Sequence, residues 1–293
     1  MRTLIFLWIM AVLPNLAQAK RLTVGITLHP YYSYVQQVVG DSADILPLIE
    51  SGFNPHNYEL QPADIQRLMR MDAIVLNAIG HDEFAVQALR QLELPHLVQI
   101  HANADVPLLN YGQGQTSFNP HTFVSIDAAI RQIYTIAREL GQLVPEQASV
   151  FQANALNYAR ELRALKHRYR SQLQALDLSQ VRIASTHNAY GYLLQEFGIG
   201  IDTVIEPAHG VEPSASQLQA TIDRIKAAKI QVLFTELDMD NRYIRVIEEA
   251  TGVKLYHFSH MTHGEYDADL VMRDMEHNLK TLVQALHLAV GGS

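Results

Sequence analysis

The 293-residue sequence has no cysteine and a single tryptophan. The first absence removes disulfide frameworks, Cys-ligated zinc, iron–sulfur centres and thiol catalysis in one step. Any soft-metal site must then be built from imidazole and carboxylate. Basic charge is scarce too: 22 Lys+Arg face 30 Asp+Glu, a formal net charge of −8. A surface of that sign repels a phosphate backbone, so nucleic acid is not an expected partner. Beyond the N-terminus no apolar stretch reaches the roughly 18 residues that crossing a bilayer requires. What the chain has instead is histidine, 14 residues of it.

The N-terminus reads as a targeting segment. Arg2 supplies a positive start, Leu4 to Leu13 an apolar run, and Pro14-Asn15 a break. Ala17-Gln18-Ala19 is a small-x-small cleavage site. These parts, in this order, describe a secretory signal peptide over 1–19, cut after Ala19. No cysteine follows it, so no lipid attachment is expected. The expected mature protein is exported and periplasmic.

From Lys20 onward, short apolar runs alternate with helical patterns. Leu22–Leu28, Ile45–Ile49, Ala73–Leu76 and His96–Ile100 read as strands, with helices over Tyr31–Val39, Pro62–Met71 and Glu83–Leu92. A second series follows: strands at Val181–Ser185, Asp202–Ile205, Val232–Thr235 and Val253–Tyr256. Its helices are expected over Asn188–Phe197, Ser214–Ala228, Asn241–Thr251 and Asp267–Leu288. Alternation of this kind implies β-α-β units with mainly parallel sheets. Between the series, Ile126 to Leu176 is nearly unbroken helix, interrupted once at Gly141 and Pro145. Phe151, Ala155, Tyr158, Leu162, Leu165, Tyr169 and Leu173 recur at steps of three and four, one continuous face. The fold class is therefore α/β: two β-α-β lobes joined by one long rigid helix. The expected divisions are an N-terminal lobe over 20–140, the connecting helix over 141–178 and a C-terminal lobe over 179–293.

The histidines fall at strand-to-helix junctions. Phe53-Asn54-Pro55-His56 recurs as Phe118-Asn119-Pro120-His121, and Asn-Pro initiates turns. His187 follows the first strand of the second series. His257, His260 and His263 follow the last one. The carboxyl edge of an open α/β sheet is where ligands bind. Any one loop histidine is most simply a solvated side chain, but the set fits a metal with nitrogen and oxygen ligands from both lobes. Other histidines read as bland. His81-Asp82-Glu83 is a weaker ligand candidate, because helix capping by Asp82 explains it equally well. His29, beside Pro30-Tyr31-Tyr32, lines the cleft or serves structure.

Three motifs resemble a known family, the cluster A-I (zinc/manganese) periplasmic receptors of ABC importers. The first is Gly40-Asp41 followed by Pro55-His56-Asn57-Tyr58-Glu59, Pro62 and Asp64. The second is Asn119-Pro120-His121-Thr122-Phe123, with Asn where the family has Asp. The third is His187-Asn188-Ala189-Tyr190-Gly191-Tyr192. The resemblance covers the chain from about Lys20 to the C-terminus. It implies a divalent ion held between two lobes by His56, His121 and His187, and delivered to a permease in the inner membrane. A His at the third position resembles the zinc members. The family's fourth ligand is usually Asp, and here Ser259 or His260 takes its place. His260 is chosen because Ser is a poor zinc ligand; His257, His263, Glu236 or water remain alternatives. The long His/Asp-rich insert of many zinc members is missing from His101 to Ser117. The reading is a monomeric zinc receptor, with Mn2+ or Fe2+ as the alternative cargo. A zinc hydrolase is the competitor from another class, but no H-E-x-x-H or G-x-S-x-G pattern supports an enzyme.

Overall fold

The apolar runs pair into two parallel sheets of the same design. β1 (Leu22–Ile26), β2 (Ala43–Pro47), β3 (Ala73–Leu76) and β4 (Val98–His101) form the first, in the order β2-β1-β3-β4. β5 (Ile183–Ser185), β6 (Thr203–Val204), β7 (Val232–Glu236) and β8 (Lys254–Phe258) form the second, in the order β6-β5-β7-β8. The computed structural model describes residues 21–51, 58–110, 117–205, 214–237 and 242–291. The expected signal peptide and His56 lie outside the described residues, as does His209.

The central strands β3 and β7 are buried along their whole length, which is why both read as continuous apolar runs. Edge strands match the expectation less well. β2 closes at Pro47 instead of Ile49, and the Leu48 N–H makes one further bond to Ile26 O. β6 shrinks to two residues, and the Asp202 carboxylate beside it accepts the Ile183 N–H at 2.7 Å. The helix expected from Asn188 is the short α6 (Gly191–Gln195), and the last helix, α9 (Leu270–Gly291), starts three residues late. Asp267 accepts the Asp269 N–H there, an Asx-type turn that delays the first helical turn.

Helices cover both sheets. The remaining ones are α1 (His29–Val39), α2 (Pro62–Leu68), α3 (Glu83–Leu92), α4 (Ile126–Leu143), α5 (Ala148–Gln174), α7 (Ala215–Ala228) and α8 (Arg242–Thr251). α4 and α5 are the long helical stretch, folded back on itself at Val144-Pro145. Gly141 permits the close return: a Cβ there would stand 3.1 Å from the Ala148 Cβ. α5 has 27 residues, about 40 Å of helix, and its buried face is Phe151, Ala155, Tyr158, Ala159, Leu162, Leu165, Tyr169 and Leu173. That face packs against α1, α4 and α9. One apolar core therefore runs through both lobes, from Val24 and Tyr31 through Phe151 to Phe234, Phe258 and Leu282. Sliding one lobe over the other would open this core to water, so the packing favours a fixed pair of lobes.

Candidate metal centre

In each sheet the first strand lies between the second and the third. Chain connections leave β1 and β3, and likewise β5 and β7, toward opposite sides. Such a switch point opens a crevice at the carboxyl ends of these strands. His81 follows β3, His187 follows β5 and Glu236 ends β7. The loops after the outer strands β4 and β8 add His121 and His260. All five side chains are buried, none more than 5% exposed.

Asn119 holds the first pair of loops. Its Oδ1 accepts the His121 backbone N–H at 3.0 Å and the His121 Nδ1–H at 2.7 Å. Its Nδ2 donates to Asn188 O at 2.7 Å, across to the other lobe. A flipped amide would set NH2 against the His121 N–H, so the assignment is determined by the backbone. With Nδ1 protonated, His121 presents Nε2 as a lone pair. Nε2 of His187 lies 2.8 Å from it. His260 is oriented by a side-chain contact too: its Nδ1 is 2.7 Å from Thr262 Oγ1, which turns the Nε2 edge toward the crevice. Ring centroids are 4.6 Å apart for His121–His187, 5.0 Å for His121–His260 and 5.8 Å for His187–His260.

His81 joins this cluster, and the capping role expected of Asp82 is not what the structure has. Asp82 stands before α3 but makes no side-chain cap to it. Its carboxylate instead turns back and accepts the Asn77 N–H at 2.6 Å, the Ala78 N–H at 3.0 Å and the Thr27 hydroxyl at 2.9 Å. Burial pushes its pKa up to about 6, and the three donors oppose that. Asn77 is tied in turn by Tyr31, Asn103 and Pro120 O. The loop so fixed aims the His81 ring edge-on at His121, with centroids 4.4 Å apart, and 5.7 Å from His260. Ligand atoms of His81, His121 and His260 lie within 4.8 Å of one another, as do those of His187, Glu236 and His260.

The structure thus brings together His121, His187 and His260 of the expected set, and adds His81 and Glu236. Of the alternatives to His260, Ser259 and His257 are turned away from the crevice. Ser259 donates to Asp274 at 2.7 Å, and its N–H is received by Asn278. His257 is exposed on β8. His29 stacks on Tyr266 at 4.3 Å and bonds Gly264 O, a structural role.

Two further contacts cross between the lobes beside the site. The Tyr192 hydroxyl receives the Leu109 N–H at 2.8 Å and donates to Asn119 O at 2.9 Å. The carboxylate of Glu196, which caps the end of α6, accepts from the Ser125 hydroxyl and, at 2.9 Å, from the Asp127 N–H, at the start of α4. Lys166 of α5 stands 3.0 Å away. Burial holds this carboxyl above the ordinary range, the Asp127 charge adds to the shift, and Lys166 opposes it.

Residues 24–285 match the family described as the periplasmic zinc-uptake complex component A, ZnuA. The chain belongs to this family. Zinc-binding lipoprotein AdcA of Streptococcus pneumoniae is 26% identical over 280 residues, covering 90% of this chain and 56% of AdcA. The chain therefore spans about half the length of that curated relative. FpvC of Pseudomonas aeruginosa, a solute-binding protein, is 48% identical; the match covers 92% of this chain and 97% of FpvC, with a TM-score of 0.86. FpvC has been solved with Ni2+ and with Mn2+. ZnuA-family proteins are substrate-binding proteins of metal uptake, not enzymes. Among the described residues no helix is long and apolar enough to cross a membrane.

Proposed function

We propose that this chain captures a divalent transition metal, zinc first, between its lobes and delivers it to an ABC permease in the inner membrane. The motif-based ligands are His56, His121, His187 and His260. One observation carries the reading: buried imidazoles from both lobes converge on a single crevice, with the Nδ1 atoms of His121 and His260 held by Asn119 and Thr262. Uncharged imidazole Nε2 atoms pre-oriented in this way suit zinc, which binds His nitrogen at about 2.0–2.1 Å. The protein works as an exported monomer once the segment ending at Ala19 is removed. The FpvC structures with Ni2+ and Mn2+ favour a second reading, a receptor for another first-row divalent ion.

Competition with a chelating dye at pH 7 tests the proposal. One tight zinc site per chain is expected. Zinc binding as tight in the His56→Ala/His121→Ala double variant as in the wild type would overturn the ligand assignment. Direct competition of Zn2+ against Mn2+ and Fe2+ decides between the two cargoes.

A further inference from the structure

His81 is the histidine of the cluster that neither motif pattern nor helix capping accounts for. Its backbone is the first clue. His81 has φ +72° and Ala78 φ +58°, in the left-handed region that residues with a Cβ avoid. Gly80, between them, has φ +132° and touches the loop of His121: a Cβ there would stand 2.6 Å from the Pro120 Cβ. A turn of this shape is built most cheaply from Gly or Asn. Strain of this kind persists where the surroundings over-determine it, and here the Asp82 carboxylate and the Asn77 network do so. What the strain produces is an imidazole, 5% exposed, set against His121 and His260.

The second clue is the number of donors. Two triads, His81–His121–His260 and His187–Glu236–His260, share His260 and are joined by the 2.8 Å approach of His121 to His187. Zinc in a closed protein site takes four ligands, almost always as a tetrahedron. Four buried imidazoles and one buried carboxylate exceed that. The carboxylate also offsets one of the two charges of a divalent ion, which a neutral all-imidazole site would not.

We infer that His81 is a metal ligand beside the motif-based His56, His121, His187 and His260, and that with Glu236 they enclose one divalent ion in a shell larger than the tetrahedral four, the two triads closing on a single ion. The site is then fitted to ions that accept five or six N/O ligands, such as Mn2+, Fe2+, Co2+ and Ni2+, while still holding zinc. The inference rests on the receptor reading above and deepens it.

Cobalt(II) is the probe. Its visible bands are intense in tetrahedral sites and weak in five- and six-coordinate ones. The wild-type protein loaded with one equivalent of Co2+ is expected to show weak bands. His81→Ala is expected to strengthen them several-fold and to weaken Ni2+ and Mn2+ binding 10- to 100-fold by calorimetry. His81→Gly provides the control for folding, because glycine adopts the left-handed conformation without strain. Without metal it should melt above His81→Ala, which shares the lost packing but keeps the strain, yet lose the same Ni2+ affinity. A structural histidine would lose stability and keep the metal. Intense tetrahedral bands in the wild type, an unchanged spectrum in both variants, or two Co2+ per chain would overturn the inference while leaving the receptor reading intact. No Co2+ or Zn2+ binding by the wild type would overturn both.

Discussion

His121 Nε2 and His187 Nε2 lie 2.8 Å apart, although one belongs to a loop after β4 and the other to a loop after β5 in the opposite lobe. Asn119 keeps the His121 proton on Nδ1, so the proton between the two rings comes from His187. Two nitrogens at about 2.05 Å from one ion stand roughly 2.9 Å apart at a right angle and roughly 3.3 Å apart at a tetrahedral one. An ion binding both must therefore part them and displace that proton. Long-range 15N–1H spectra without metal should show His187 protonated on Nε2 and His121 on Nδ1. Zinc addition should move the His187 proton off Nε2; an unchanged His187 tautomer would exclude ligation through that atom.

Asn119 acts on both ligand loops at once, through His121 and through Asn188 O. Asn119→Ala removes both bonds and is expected to lower zinc affinity about 10- to 100-fold, the range typical for groups that orient metal ligands. Asn119→Asp keeps the acceptor for His121 and loses the donor to Asn188, so it should fall between Ala and wild type. Equal loss in both variants would show that the tie to Asn188 dominates.

Glu196 is the buried ionic contact between α6 and the start of α4. Glu196→Ala leaves the Asp127 N–H and the Ser125 hydroxyl without their acceptor and removes one of the two partners of Lys166, which keeps Asp127 at 2.6 Å. A loss of about 2–3 kcal/mol is expected by urea denaturation. A change below about 0.5 kcal/mol would mean that water replaces the carboxylate at no cost.

His29 gives the protein a pH dependence of defined sign. Burial lowers its pKa from 6.5 to about 4, against the opposing pull of its bond to Gly264 O. Between these values the unfolded chain binds a proton at His29 and the folded chain does not. Stability is therefore full above pH 6.5 and is lost as pH falls toward 4, by roughly 3 kcal/mol over the whole window. His29→Gln retains a donor for Gly264 O and does not titrate. The stability gap between wild type and this variant should narrow steadily from pH 7 to pH 4.

Gly80 joins the His81 and His121 loops by contact with Pro120. Gly80→Ala should lower both the melting temperature and the metal affinity, since the new methyl group drives the two loops apart. Loss of stability with unchanged affinity would show that the loops adjust independently of the site.

How much of this was legible before folding depends on the residue. His121, His187 and the cluster His257–His263 are legible at one edge because parallel strands send every following loop there; choosing His260 within the cluster took the family resemblance. The fold-back between α4 and α5 was marked by Gly141 and Pro145, and the buried face of α5 by its spacing. His81 sits at the same edge, five residues after β3 ends at Leu76, and that signal was available. In the sequence the capping pattern of Asp82 competes with it, and only the folded backbone separates the two: the carboxylate faces Asn77 and Ala78, not α3. The edge strands β2 and β6 were misplaced because their ends are set by side-chain acceptors and a proline, not by apolar periodicity.

The segment from Gly264 to Ala268 follows the last strand of the second sheet yet is fastened to the first. Ser33 donates to Ala268 O at 2.6 Å, Tyr266 to Ile49 O at 2.9 Å, and His29 bonds Gly264 O. His260, four residues before it, is encoded in one half of the polypeptide on a stretch whose continuation is anchored to the other. A chimaera that joined residues 179–293 of this chain to the first half of a relative would carry this histidine ahead of a segment deprived of its contacts with Ser33 and His29. Recombination between such receptors should therefore preserve the fold more readily than the grip on the ion.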